Sequence, residues 1–417
     1  MPADDTHVLV TGRWDPWLAV VDIAAALDPF AHDRDRAVVG RARVTPDVAA
    51  GNGARVPGCG LPVSLAVSQR RRRVFVVNHA GAARPEATQA MPHGHPGAVA
   101  VMDLDALLEA KPDSALLALI PTETAGPVGC ALTGNEDLLL VTSGEGRGSE
   151  DGGHLITVLD VETGRIVAQT PLRTDAATPA AHPSPHADFG RFPNPNGIAV
   201  TSAHGGLAFT ANGGTDSVSI LRLSDVTDGR RDSEIARIAV DTGPFGLAAS
   251  PDGALLAVAN RESMRSGREG NTVSLIDVAS AIAAPERPRT VSVRVGADRS
   301  DQPSRPVAVA FSADGRFVFA TCLRTGTLSR IDVATALAGG DGEDRRIALR
   351  SADGNASCPR GVHLSSSGNY LFVCGGARGE SGSSTLWILD PESLRELARI
   401  RGVGNESYLL TSIRRSR

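Results

Sequence analysis

The residues best suited to chemistry in this chain are histidines gathered in a few polar stretches. His79, His93 and His95 share one stretch, His154 ends SGEGRGSEDGGH, and His182 and His186 share AAHPSPHADFGRFPNPN. Neutral imidazole offers a lone pair of moderate basicity. An H-x-H pair and an H-x3-H pair can therefore supply three or four ligands to a divalent metal where their loops converge. Pro183 and Pro185 exclude a helical i, i+4 geometry for the second pair. The expected metal set is His79, His93, His95, His182 and His186. Glu145, Glu150, Asp151 and Asp188 are acidic neighbours in sequence, and Glu145 and His154 are the candidates for proton transfer beside the metal. Short histidine patterns in loops also arise without any metal, as solvated or backbone-bonded side chains.

Arginine is the second candidate chemistry. Arg13, Arg261, Arg324 and Arg360 can hold a carboxylate or phosphate through two parallel N–H donors. The expected ligand is a small, anionic molecule, with Arg360 also close to the reacting group and Asn196 as a further substrate contact. Lys111 is the only lysine among 42 basic residues, so the other 41 are arginine. With so much Ala and Gly, this reads as the codon bias of a GC-rich bacterial genome, and no phosphate signature follows from arginine count alone. The five cysteines form no CxxC pair, which fits a reduced, cytoplasmic protein. The N-terminus MPADDTHVLVTG shows no secretory signal pattern. G-x-S-x-G, Walker A, H-E-x-x-H and CxxCH patterns are missing from the sequence, so no nucleotide and no haem are expected. A net charge of −5 gives no reason to expect nucleic acid or an anionic membrane as partner. Monomer and homodimer both remain open.

These side chains need a scaffold, and the scaffold is a repeat. PFGLAASPDGALLAVAN (244–260) is followed by NTVSLIDVAS (271–280), and PVAVAFSADGRFVFATC (306–322) by TLSRIDVAT (327–335). Further copies start at prolines 62, 127, 195 and 359. Alternating, β-branched runs mark strands, and S-x-D-G marks the turn between two of them. With a fourth run after the Asp, each copy is a four-stranded antiparallel meander, a propeller blade. Asp22, Asp103, Asp160, Asp225, Asp277, Asp332 and Asp390 are read as ends of third strands, which counts seven blades. HVLVTG (7–12) and WLAVVDIA (17–24) lack a first strand that YLLTSI (408–413) can supply. The expected fold is all-β: a single domain over 1–417, a seven-bladed propeller closed by pairing of the two termini. One blade is shared by 7–50 and 405–413, and short helix-like insertions such as LDALLEA (104–110) follow third strands.

In that topology one face carries the loops between blades and the loops between second and third strands. Most of the histidines and all four arginines sort to it, as do Cys59, Cys322, Cys358, Cys374 and the Trp14–Trp17 turn. The Arg70–Arg73 run sorts to the opposite face as a solvated turn. The phrases NTVSLIDVA and PFGLAASPDGALLAVAN resemble the YVTN-type repeat of lactonase-like propellers. That resemblance covers nearly the whole chain and implies the propeller fold, but says almost nothing of chemistry. The loops of the sorted face point to a small-molecule enzyme with its site at the channel mouth, a cleft compatible with metal-dependent lactone hydrolysis, lyase or isomerase chemistry. A non-catalytic ligand-binding or protein-binding platform stands as the alternative.

Overall fold

The computed structural model describes residues 5–49, 53–83, 96–109, 111, 114–145, 153–175, 191–350, 357–376 and 384–414. Seven four-stranded antiparallel sheets account for the repeat. The first sheet joins Ser407–Arg414 to Asp5–Gly12, Trp17–Asp22 and Val38–Arg43. The second holds Pro62–Ser68, Arg73–Asn78 and Pro96–Asp103, and the third holds Leu138–Glu145, Leu155–Asp160 and Ile166–Pro171. One long strand, Leu116–Leu132, is the last strand of the second sheet and the first of the third. The fourth to seventh sheets begin at Pro195–Thr201, Pro244–Ala249, Pro306–Phe311 and Pro359–Leu364. The terminal strands pair as the sequence predicts: Val8 lies opposite Ser412 and Leu9 opposite Thr411.

The chain forms two compact units, residues 1–126 with 349–417, and residues 127–348. Each buries apolar clusters between successive sheets. In the first unit Val8, Val21, Phe372 and Ile400 join the seventh sheet to the first, and Leu9, Val74, Met102 and Ile413 join the first to the second. In the second unit the corresponding clusters centre on Leu140 and Leu221, on Phe209 and Leu256, and on Leu275 and Ile331. Sheets covered on both faces explain why runs such as VFVVN and FVFATC are almost continuously apolar.

The terminal Asp of the third strand acts as a helix N-cap. Asp22, Asp103, Asp277 and Asp332 each accept backbone N–H bonds from the short helix that follows, as in Asp332 from Thr335 at 2.9 Å. Asp160 and Asp390 instead close turns with Thr163 and Ser393. Asp225 departs from the expectation. The strand Ser217–Arg222 ends earlier, Arg222 takes the cap position without a side-chain bond, and Asp225 lies in the helix, paired with Arg222 and Arg230. The arginine run forms the expected turn between first and second strands, but it is less solvated than expected: Arg70 is exposed, whereas Arg71 to Arg73 are half-buried and Arg72 and Arg73 pair with Asp105 and Asp103.

The start of each first strand sets the position of the candidate site. The residue before it is left-handed in six sheets: Leu61, Gly126, Asn194, Gly243, Arg305 and Glu406 have φ between +49° and +56°. A register shift then follows the motif proline in the second, fourth, fifth, sixth and seventh sheets. Such a bulge leaves a residue unpaired and re-aims its neighbours. In three sheets a threonine on the second strand satisfies the freed groups. Thr11 Oγ1 accepts from Leu409 N and donates to Leu409 O, each at 3.1 Å, and Thr142 and Thr321 bond Gly129 N and Ala308 N. The same strands approach closely enough to demand glycine. A Cβ on Gly246 would stand 2.3 Å from Val307 O, and one on Gly197 would stand 2.6 Å from Phe245 O.

Candidate functional site

In the first unit the loop after Asp5–Gly12 meets the residues that lead into Ser407–Arg414. Arg13 N donates to Glu406 O at 3.2 Å, and Trp14 N donates to Asn405 O at 3.3 Å. This fixes Trp14 so that its Nε1 donates to Glu406 Oε2. The other carboxylate oxygen, Oε1, accepts from Arg360 Nη2 at 2.6 Å. Glu406 and Arg360 side chains are only 6% and 11% exposed, so this is a desolvated, hydrogen-bonded ion pair. Tyr408, the second residue of its strand, is within cation–π reach of two guanidinium groups. The Arg13 and Arg360 carbons are each 5.6 Å from its ring centre, and Arg13 is also 5.7 Å from the Trp14 ring.

Arg13 differs from Arg360 in one respect. Its guanidinium has aromatic neighbours but no carboxylate partner among the described residues, and its Nε is buried without an acceptor. The side chains of Arg13, Arg360 and Glu406 together sum to one positive charge over an aromatic floor. Arg13 and Trp14 are half-buried, while Tyr408, Arg360 and Glu406 are buried beneath them. Such a site can take an oxyanion or a polarised carbonyl at Arg13, next to a carboxylate held in a single orientation.

Arg13 and Arg360 are brought together around Tyr408. His79 is buried in the first unit, with its N–H donating to Leu61 O at 3.1 Å. His93, His95, His182 and His186, with Glu150, Asp151 and Asp188, lie outside the described residues. Among the described residues no group of three or more His, Cys, Asp or Glu could hold a metal ion.

In the second unit Glu145 ends a second strand and His154 begins the region of the third, where its ring tilts against Phe192 at 5.3 Å. A Cβ on Gly153, the residue before His154, would stand 2.9 Å from the Glu145 backbone, so Gly153 packs directly against the end of that strand. Asn196 is buried, and its side-chain N–H donates to Pro244 O at 3.3 Å, stitching neighbouring first strands. Arg324 is tied to Glu269 at 3.2 Å, which also holds Arg305 at 3.1 Å. Arg261 stacks on Phe245.

Burial pushes the Cys322 and Cys374 thiols up to about 11 and about 12, so neither is a ready nucleophile. Sequence reading passed over Glu406. Its strand begins with Ser407 where the other six sheets have proline. The aligned position before the motif proline, which is Arg305 in the sixth sheet, is the signal that would have found it.

The whole chain superimposes on lactonase propellers. It matches the periplasmic gluconolactonase of Pseudomonas aeruginosa over 98% of each chain, with TM-score 0.63 and 17% identity. The chain has the fold of the lactonase-type propellers. A candidate 6-phosphogluconolactonase from Bacteroides uniformis matches over 98% of this chain and all of its own, with TM-score 0.60 and 13% identity. A functionally unknown protein from Desulfotomaculum acetoxidans does so over 99%, with TM-score 0.60 and 11% identity. No family model and no curated protein matches the sequence. No helix among the described residues is long and apolar enough to cross a membrane.

Proposed function

We propose that the protein is a lactonase-type enzyme that opens a small cyclic ester at the Arg13–Arg360–Glu406 cluster. The observation that carries this reading is Arg13, a cation on an aromatic floor with no carboxylate partner among the described residues, set beside a carboxylate whose two oxygens are already oriented. The neighbouring lactonase folds support it.

Arg13 donates to the carbonyl oxygen of the ester and to the oxyanion that forms as water attacks the carbonyl carbon. Glu406 accepts the proton of that water through a lone pair left open by its two fixed bonds. The ring C–O bond then breaks, and the same proton passes to the departing ring oxygen, leaving a hydroxy acid. Arg360 and Trp14 position Glu406. Tyr408 excludes water from beneath the guanidinium groups and keeps their charge effective.

A panel of five- and six-membered lactones, with acid release followed by indicator or pH-stat, tests the activity. Enzyme-dependent hydrolysis of at least one member supports the proposal. Background rates across the panel, from protein with a native circular dichroism spectrum, contradict it.

A further inference from the structure

The arrangement of Arg13 over Tyr408 occurs a second time. Gly12 lies opposite Ser407 in the first sheet, and Asn260 lies opposite Pro244 in the fifth. Arg13 and Arg261 are therefore the same position of the repeat, one residue beyond that pair. Tyr408 and Phe245 are likewise both the second residue of the first strand. Arg261 stacks on Phe245 with its guanidinium carbon 4.6 Å from the ring centre.

The charges around Arg261 explain what it lacks. Glu262 is committed to Arg305, and Glu269 to Arg305 and Arg324. Asp216 accepts from Gly243 N at 2.7 Å and from Ser263 Oγ at 2.9 Å. Arg268 donates to Thr242 Oγ1 at 3.0 Å. Among the described residues no carboxylate remains for Arg261, and its Nε is buried without an acceptor. Of the four arginines singled out by spacing, Arg324 and Arg360 are paired, whereas among the described residues Arg13 and Arg261 have aromatic side-chain partners and no carboxylate. A planar guanidinium stacked on a ring keeps its edge donors aligned for a bidentate oxyanion.

We propose that Arg261 and Phe245 form a second oxyanion-binding site, for a carboxylate or phosphate group, in the second unit. The assignment does not depend on the lactonase activity. Such a site would hold a product-like acid or a phosphorylated small molecule as a regulator or second substrate group.

The test uses the full-length chain carrying Arg13→Gln, which removes the other open guanidinium, titrated calorimetrically with inorganic phosphate and, separately, acetate at low ionic strength. The proposal expects saturable binding of at least one anion by Arg13→Gln, weakened at least tenfold by adding Arg261→Gln. Preference for one anion identifies the class of ligand. Arg261→Lys, which keeps the charge but loses the planar fork, is expected to weaken binding several-fold. Equal affinities with and without Arg261→Gln, or no binding of either anion by folded Arg13→Gln protein, overturn the proposal. Because the lactone assay reads Arg13 and this titration reads Arg261, failure of one is distinguishable from failure of the other.

Discussion

Replacing Glu406 by Gln isolates the charge at the centre of the candidate site. The substitution preserves side-chain shape and an acceptor for Trp14 Nε1, but leaves Arg360 as a buried cation facing a neutral amide. Breaking a buried pair from one side costs about 3–5 kcal/mol. The low end applies because 11% of the Arg360 side chain still reaches solvent. The expected loss is therefore about 3 kcal/mol. Trp14, Trp17 and Trp387 are the only tryptophans and all lie in the first unit, so tryptophan fluorescence during urea unfolding reports that unit alone. Replacing both partners by Met should return stability to within about 1 kcal/mol of the parent, because no uncompensated charge then remains. A loss below about 1 kcal/mol in Glu406→Gln, or a double variant worse than the single one, would refute the reading of this pair as desolvated.

Three further outcomes follow from the geometry. Gly246→Ala should destabilise the second unit by at least about 2 kcal/mol in calorimetric unfolding, since the new methyl meets the backbone of Val307 and Ala308. Gly134→Ala, where nothing lies within 4 Å, should be near neutral, and equal effects would discredit the close-approach argument. Burial lowers the His363 imidazole to about 4, with Asp5 opposing that shift and Arg414 adding to it, while the ring sits 3.0 Å from Ser412 Oγ. The native state thus binds this proton less readily than the unfolded chain. Its share of stability is complete above pH 6.5, falls by about 3 kcal/mol towards pH 4, and should disappear from the pH profile of His363→Gln. With iodoacetamide at pH 8, mass spectrometry should find Cys59 and Cys358 labelled well before the buried Cys322 and Cys374; early labelling of either buried thiol would contradict their environment.

The strands were legible because both of their signals are local. Alternation and S-x-D-G turns place sheets such as Pro244–Ala249 with Leu255–Glu262, and a missing first strand pointed to the pairing of Val8 with Ser412. Asp225 misled because position in a repeat was inferred from residue type, whereas the strand had already ended at Arg222. At the candidate site, Arg13 and Arg360 were visible as residue types at repeat positions. What distinguishes them was not. Pairing state depends on Glu406, itself left-handed and followed by Ser407 in place of the motif proline, and on contacts between segments almost four hundred residues apart. Asn196 shows the converse, since a polar residue at a promising position spends its side chain on the carbonyl of Pro244. The glycines divide in the same way: turn glycines announce themselves by neighbours, but Gly246 is set by the next strand.

The most direct measurement of the central claim is kcat/KM for lactone hydrolysis by Arg13→Gln beside the parent chain, with unfolding temperatures taken in parallel. Loss of one preorganised oxyanion donor should lower kcat, and kcat/KM with it, about 100- to 1,000-fold while the unfolding temperature falls only slightly, because among the described residues Arg13 has aromatic contacts but no carboxylate partner to lose. Parent-like turnover by folded Arg13→Gln protein would contradict it.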